Sequence, residues 1–320
     1  MDITVERVDG LAAVEEISRV LVAAWPPPTL HYTVDFLKWQ FTFPGPVARG
    51  ALARINGEPV AYVGFAARRL RRGREVTPSY ATAFLGVVPS ARGGGTANLV
   101  YDPMIGMVAE SGIPCVGFVD VQTPAARKLQ VKHTETRGMD RKSLTLCRNW
   151  GFMVRPNTSP PLAVREAVSV AEVLDVMNAC NDENVLWCAP DADAIEHYQR
   201  DPRGRKFIVT EENGRASAVA MVFLSEIKGP QGIEFLTTVD TVWMPEPSDA
   251  RLKSLCFGAS AAFAEKATSK MVGAPNLSTI DESIIKLAGL RPAVAVYEPF
   301  VYQQSRTIYT TVTSTNQEMV

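Results

Sequence analysis

Three consecutive glycines, Gly93, Gly94 and Gly95, separate a strand-like run that ends at Val88 from a helix-like run that begins at Ala97. Glycine loses more backbone entropy on folding than any other residue, so a glycine run is unfavourable unless the backbone requires it. Two requirements would explain it: a steep turn, or a ligand that approaches the main-chain N–H groups closely. The run therefore predicts a strand, a tight loop and a helix in immediate succession.

A loop of this kind favours anion binding. A glycine-rich loop that leads from a strand into a helix offers unpaired N–H donors and the positive end of the helix dipole, where a pyrophosphate fits. Neither the dinucleotide pattern G-x-G-x-x-G nor the Walker pattern G-x-x-x-x-G-K-[ST] is present. The glycines indicate a phosphate site of another type or, in the plainer interpretation, a tight turn with helix packing.

Hydrophobic periodicity predicts a mixed α/β fold in both halves of the chain. After the glycines we expect, in order, a helix at 97–110, a strand at 115–121, a helix at 123–133 and a strand at 143–147. The second half repeats the order of elements found in the first half, which indicates a duplication. We therefore predict two tandem domains with mixed sheets, at 1–155 and 162–304, followed by a flexible tail at 305–320.

Composition and charge are those of a soluble globular protein. The chain has 320 residues, of which 46% are hydrophobic, and a net charge of −1. It opens without a basic and apolar leader pattern, so we expect a cytoplasmic protein. Five cysteines without a C-x-x-C pair argue against disulfides and zinc, and most are expected to be buried. Charge is uneven, with 19 Lys/Arg against 13 Asp/Glu in residues 1–160, and 14 against 21 in residues 161–320.

The densest basic run lies in the sequence ARRLRRGRE. A solvated hairpin turn is the plainer interpretation of this run, and an anionic ligand or a nucleic acid is the alternative. The basic side chains of the run are Arg68, Arg69, Arg71, Arg72 and Arg74.

Three stretches of the first half resemble the GNAT superfamily of N-acetyltransferases. The pattern Arg92-x-x-Gly95-x-Ala97 is similar to its acetyl-CoA-binding signature, commonly Q/R-x-x-G-x-G/A. The stretch TPAARKLQVKH at 123–133 is similar to the helix motif N-P-A-A-x-x-L-Y-x-K-x-G. DFLKWQFTFPGP and the Asn-Gly hairpin after it look like the superfamily's opening helices and first hairpin. The matching stretch of the second half, WMPEPSDARLKSL, has no glycine loop, so that half looks like a degenerate copy.

The resemblance implies an acyltransferase that moves an acyl group from acyl-CoA, with acetyl-CoA as the expected donor, to the amine of a small-molecule acceptor. It implies direct attack, with neither a covalent enzyme intermediate nor a metal. The donor's pyrophosphate would be held by backbone N–H groups of the loop, and its pantetheine arm would lie between two splayed strands. The implied donor-binding residues are Val87, Val88, Arg92, Gly93, Gly94, Gly95, Thr96, Ala97, Thr123 and Arg127.

The sequence departs from the superfamily where the chemistry is expected. Gln130 stands where many members have a tyrosine that protonates the leaving thiolate, and an amide cannot act as that acid. Pro103 falls inside the helix after the loop and predicts a kink or a late start. The candidates for proton transfer are Asp120, His133 and Tyr80, although each has a plainer role as a capping, surface or core residue.

Three interpretations of the missing acid stay open. Amide formation can proceed by proximity alone, with water or substrate carrying protons. Alternatively the donor is an aminoacyl-tRNA, as in some branches of the superfamily, in which case basic side chains would contact the RNA backbone. The third interpretation is a non-catalytic protein that binds acyl-CoA or a regulatory partner. The residues proposed to contact tRNA are Arg68, Arg69, Arg71, Arg72, Arg74, Arg127, Lys128 and Lys132.

Overall fold

The computed structural model describes residues 2–188, 191–304 and 314–315. It is built from helices packed on a mixed sheet. The helices are α1 (Val14–Ala24), α2 (Val34–Phe41), α3 (Thr96–Ser111), α4 (Pro124–Thr136), α5 (Val170–Ala179), α6 (Ala192–Gln199), α7 (Asp249–Ala262) and α8 (Glu282–Leu287). The strands are β1 (Ile3–Asp9), β2 (Thr29–Leu30), β3 (Arg49–Ile55), β4 (Glu58–Arg72), β5 (Glu75–Val87), β6 (Cys115–Asp120), β7 (Asp140–Ser143), β8 (Cys147–Met153), β9 (Ala163–Glu166), β10 (Val185–Cys188), β11 (Lys206–Glu212), β12 (Arg215–Gly229), β13 (Gly232–Trp243), β14 (Met271–Ala274), β15 (Arg291–Gln303) and β16 (Ser314–Thr315).

One sheet runs through both halves of the chain, in the order β1-β3-β4-β5-β6-β15-β8-β14-β13-β12-β11-β9. From one edge inward the order is β1-β3-β4-β5-β6, and from the other edge inward it is β9-β11-β12-β13-β14. The two halves therefore place corresponding strands in the same order. Near the centre each half gives a strand to the other, because β15 pairs with β6 and β8 pairs with β14. The mixed α/β class is as predicted. The division into domains at 1–155 and 162–304 stays a prediction.

Two Asn-Gly turns form hairpins as their sequences predict. Asn56 and Gly57 have φ of 51° and 87°, and Asn213 and Gly214 have φ of 53° and 74°. These left-handed conformations suit the tight turn that matches the right-handed twist of the paired strands. Each turn fixes the register of its hairpin, β3 with β4 and β11 with β12.

The sheet's two faces in the first half are covered by different helices. On β3 and β4, Leu52 and Tyr62 pack in one apolar cluster with α1 and α2. Their neighbours Ala51 and Val63 pack in another cluster with α3. Because successive strand side chains point to opposite faces, α1 and α2 lie on one face and α3 on the other.

One local prediction is wrong, and for a second the structure excludes one of its two alternatives, a late start of the helix at Pro103. A strand was expected at 143–147, but β7 ends at Ser143 and β8 begins at Cys147, because the pairing partners of β8 are β14 and β15 from the far end of the chain. Pro103 does not delay α3, which begins at Thr96 and continues through the proline as one helix. Proline removes the hydrogen bond to the carbonyl of Leu99, which lies on the exposed side, where water can satisfy it.

The cysteine thiols lie in the core, and part of the chain's end joins the strands. The thiols of Cys115, Cys147, Cys180 and Cys256 are free and buried, as predicted. In the predicted tail, Ser314 and Thr315 pair with β10, and its other positions after 304 lie outside the described residues. None of the helices in the described ranges combines the length and apolar character that crossing a bilayer requires.

Candidate functional site

The glycine loop joins β5 to α3 and leaves open space around its backbone. Gly93 and Gly95 have φ of 82° and 79°, a left-handed conformation that favours glycine. Gly94 has no such φ, and a Cβ added there would first meet Thr96 Oγ1 at 4.0 Å. Neither turn geometry nor packing within the described chain requires a glycine at 94. The absence of a side chain there is what a ligand approaching the backbone would need.

The loop presents a row of backbone donors. The N–H groups of the residues between Arg92 and Asn98 make no hydrogen bond with the described part of the chain. The first bonds of α3 are donated by Asn98 and Leu99 to the carbonyl of Gly95, at 2.9 and 3.3 Å, and no side chain caps the helix. Open N–H groups together with the positive end of a helix dipole favour an anion.

Side chains around the loop hold it in place. Arg92 Nε donates to the carbonyl of Val87 at 3.1 Å, and its guanidinium also donates to the carbonyl of Ala24 at the end of α1. Thr96 Oγ1 donates to the carbonyl of Ala91 at 2.8 Å. The side chains of Arg92 and Thr96 therefore stabilise the loop, so an anion would be contacted mainly by backbone groups.

A fork opens between β5 and β6 beside the loop. These strands pair in parallel at only two positions, Tyr80 with Cys115 and Ala81 with Val116. Beyond them each strand keeps only its outer partner, β4 for β5 and β15 for β6. The two facing edges consequently carry unpaired N–H and C=O groups. An extended molecule with amide groups can pair with such edges as an added strand does.

A β-bulge lies on the β5 side of the fork. Phe84 and Leu85 together oppose Val63 of β4, and Phe84 has φ of 69°, which is unusual for a bulky residue. The bulge turns backbone groups of β5 out of the ladder at the point where the strand has already parted from β6.

A carboxylate and a phenol lie side by side at the end of the fork. Asp120, the last residue of β6, is directly opposite Tyr297 of β15 in the antiparallel register, so both side chains project from the same face. Burial raises the pKa of Tyr297, the negative charge of Asp120 raises it further, and a hydrogen bond with Asn149 opposes both effects. Asp120 Oδ1 accepts from the N–H of Gln122 at 2.8 Å.

Tyr32 extends this polar group toward the connection between α1 and α2. Its ring meets that of Phe84 edge to face, with centroids 6.2 Å apart. Burial raises the pKa of Tyr32 to about 12, Tyr297 adds to this rise, and the charge of Arg203 opposes it. Next to Tyr32, His31 Nδ1 lies 3.5 Å from Glu226 Oε1 on β12. Both halves of the chain therefore meet over the fork.

The predicted catalytic residues are not gathered at one place. Asp120 is at the fork. His133 is buried between α3 and α4, with Nδ1 3.2 Å from Asp102 Oδ1 and Nε2 3.2 Å from Asn98 Oδ1. Tyr80 packs on Phe65, with ring centroids 4.3 Å apart, in the cluster beneath α3. The positions of His133 and Tyr80 suit structural roles, on the face opposite to that of Asp120.

The remaining residues of the 123–133 motif lie on α4 or at its start. Thr123 is exposed at the N-cap of α4 without a side-chain capping bond. Arg127 Nε lies 2.8 Å from Glu298 Oε2. Gln130 is buried, with Oε1 3.4 Å from a guanidinium nitrogen of Arg141. Lys132 Nζ donates to Asn98 Oδ1 at 3.1 Å, which places a positive charge beside the first turn of α3 and close to the loop.

The basic run forms a hairpin, as predicted, but much of it faces other parts of the protein. Arg68 is buried and donates to the carbonyl of Ala67 at 2.6 Å. Arg71 is buried and donates to the carbonyls of Met177 and Cys180, at 2.7 and 2.8 Å. Arg69 pairs with Asp191. The interpretation of a fully solvated turn is therefore wrong, because Arg68 is buried and the guanidinium groups of Arg69 and Arg71 join the two halves.

Comparisons with known proteins identify the fold. No protein-family profile and no curated protein matches the sequence. Among solved structures, Saccharomyces cerevisiae N-myristoyltransferase with bound myristoyl-CoA is similar at a TM-score of 0.66 and 12% identity, over 96% of this chain and 80% of that chain. A candidate acetyltransferase from Pyrococcus horikoshii is similar at a TM-score of 0.60 and 12% identity, over 97% of this chain and 94% of that chain. A candidate N-acyltransferase from Enterococcus faecalis is similar at a TM-score of 0.53 and 9% identity, over 97% of this chain and 73% of that chain. The resemblance to the GNAT fold is confirmed at the level of fold.

Proposed function

We propose that this protein is an N-acyltransferase that moves an acyl group from acyl-CoA to the amine of a small-molecule acceptor. The observation that carries the proposal is the row of open N–H groups at Gly93, Gly94 and Gly95, placed directly beside a strand fork. The similar N-myristoyltransferase structure contains myristoyl-CoA, which supports an acyl-CoA donor here.

The two features suit the two ends of one donor. A pyrophosphate needs N–H donors and positive potential, which the loop, the N-terminus of α3 and Lys132 supply. A pantetheine arm is an extended chain with amide groups, which suits the unpaired edges of β5 and β6. Held at both ends, the thioester would lie near the bulge at Phe84 and Leu85, where N–H groups outside the ladder can stabilise a developing oxyanion.

Asp120 and Tyr297 can supply the acid and base that Gln130 cannot. In the proposed reaction the acceptor nitrogen attacks the thioester carbonyl, a C–N bond forms and the C–S bond breaks. The Asp120 carboxylate takes the proton of the amine, and the Tyr297 phenol gives its proton to the departing sulfur. The proton on Asp120 then returns to the phenolate of its neighbour, so both groups recover their starting states. A tyrosine phenol is protonated at neutral pH, and burial raises the pKa of Tyr297 further.

The acceptor would approach from the face that carries Asp120, Tyr297 and Tyr32. This face lies where elements of both halves meet, the usual place for a ligand pocket. The aminoacyl-tRNA alternative depends on basic side chains that reach a phosphate backbone. Arg68 and Arg71, two of those named for it, are buried in this structure.

The proposal is tested by turnover. The purified protein is mixed with acetyl-CoA or decanoyl-CoA and a panel of primary amines, and the free thiol is followed over time. We expect amine-dependent thiol release, and loss of that release in a Gly94→Glu variant that retains the wild-type melting temperature. Absence of acyl-CoA turnover and binding, together with amide formation from a charged tRNA, would overturn the proposed donor.

A further inference from the structure

A cavity of about 590 Å³ lies in the second half, at the start of β14 and β15. Its size is within the range of small-molecule sites. Residues of β8, α7 and the end of α8 complete its wall. Its lining residues are different from those of the loop, the fork and the Asp120–Tyr297 pair, so it is a separate site.

Three cationic residues line this cavity: Arg155, Lys253 and Arg291. None of their side chains makes an ion pair or a hydrogen bond within the described ranges. Other arginines of this half behave differently, since Arg165 pairs with Glu172 at 2.6 Å and Arg251 with Glu212 at 2.6 Å. Three unpaired cations around one cavity favour an anionic ligand.

The rest of the wall is apolar. Phe152 and Phe257 form its buried base, with ring centroids 5.3 Å apart and nearly perpendicular planes. Met153 and Met271 flank it and are 56% and 38% exposed, although methionine is ordinarily a core residue. Flexible thioether side chains of this kind adapt to an apolar ligand.

An irregularity of the sheet lies beside the cavity. The pairing of β15 with β8 shifts between Pro292 and Val296, so residues 293–295 leave the ladder. The segment that departs lies at the cavity rim, beside Arg291. The cavity thus has an open side, cationic groups around it and an apolar base.

We propose that this cavity binds a single-chain anionic amphiphile, with its carboxylate or phosphate headgroup between the three cations and its hydrocarbon chain on Phe152, Phe257 and the two methionines. The shared chemistry is a small anion on an apolar chain, which either a fatty acid or an alkyl phosphate supplies. The inference does not depend on the proposed acyl transfer.

Calorimetric titration tests this site with four probes: decanoate, decyl phosphate, decanol and inorganic phosphate. We expect decanoate or decyl phosphate to bind at least about tenfold more tightly than decanol, because charge-assisted hydrogen bonds are lost in the alcohol. Inorganic phosphate alone should bind too weakly to detect. The tighter of the two anions identifies the headgroup.

Two variants locate the binding. Lys253→Gln and Arg291→Gln should each weaken the better anion about tenfold, whereas Arg215→Gln, at an exposed hairpin turn of the same half, should leave it unchanged. Because these side chains lack partners in the described chain, melting temperatures should match that of the wild type. The inference is overturned if decanol binds as tightly as the anions, if neither anion binds, if both variants bind normally, or if CoA displaces the anion.

Discussion

The two halves of the chain place a strand fork at corresponding positions, but they end it differently. In the first half β5 and β6 pair at two positions and then part, and in the second half β13 and β14 do the same, at Thr237 with Val272 and Thr238 with Gly273. A loop and a helix follow the first strand of each fork. In the first half the helix starts from glycines with open N–H groups.

In the second half the same place is closed by side chains. Ser248 Oγ accepts from the N–H of Arg251 at 3.2 Å, which caps α7. The Arg251 guanidinium donates to the carbonyl of Glu246 at 2.5 Å and to Glu212 Oε2 at 2.6 Å. The comparison teaches that a shared fold does not make an anion site. A site for an anion also requires a helix start with unsatisfied N–H groups, which the first half has.

The largest effect is expected from placing a carboxylate in the open loop. Gly94→Glu should weaken CoA binding at least about 100-fold, because the new charge and bulk occupy the place of the pyrophosphate. The glutamine of Gly94→Gln has nearly the same size without the charge, so this variant should lose less CoA affinity than Gly94→Glu. Titration calorimetry of both variants provides the measurement. Equal CoA affinity in Gly94→Glu and the wild type would mean that the loop is only a turn.

The next effect concerns Tyr297 of β15, the proposed acid. Tyr297→Phe should lower kcat by about 10²–10³ with little change in the KM for the donor, since only the proton donor is removed. A steady-state titration of both substrates measures it. An unchanged kcat would mean that Tyr297 is not the acid and would favour amide formation by proximity alone.

Asp120→Asn sharpens that assignment through pH. An acid works while protonated, so the activity of Tyr297 is lost as pH rises through its pKa. The charge of Asp120 contributes to raising that pKa. Its removal should therefore move the alkaline limb of the kcat profile to lower pH, beside lowering kcat. A limb that stays in place would separate Asp120 from Tyr297.

Arg71→Gln tests how the halves are joined. Removal of the guanidinium leaves the buried carbonyls of Met177 and Cys180 without that donor, which should cost about 3 kcal/mol of unfolding free energy. Arg74→Gln, exposed at the turn of the same run, should change stability by less than about 0.5 kcal/mol. Urea unfolding compares the two, and equal effects would contradict a joining role for Arg71.

The smallest effect is expected at the closed helix start. Ser248→Ala should lower the free energy of unfolding by about 1 kcal/mol through loss of the cap on α7. CoA affinity should be the same as in the wild type. A change in CoA affinity would place a donor site in the second half as well.

Local sequence patterns predict many features of this structure. The Asn-Gly turns, the glycine loop and the motif on α4 each depend on nearby residues, so their sequences predict them. The same patterns were sufficient to recognise the fold. Asp120 was named as a candidate because it ends a buried strand that leads into α4, and its role in catalysis stays a proposal.

Other features depend on contacts between distant parts of the chain, which local patterns do not predict. Tyr297 joins Asp120 only because β15 enters the sheet between β6 and β8, and no local signal near Tyr297 indicates that neighbour. The basic run that contains Arg71 has a composition typical of a solvated turn. Arg71 is buried because α5 packs across the hairpin. His133 and Tyr80 were plausible by residue type, but side-chain direction placed them on the opposite face of the sheet.

The most direct test of the account is the stoichiometry of CoA binding, measured by calorimetry on the full chain. We predict one CoA per chain, with that binding lost in Gly94→Glu and kept in Ser248→Ala. Two CoA molecules per chain, or one that Gly94→Glu leaves in place, would contradict the claim that only the open loop of the first half holds the donor.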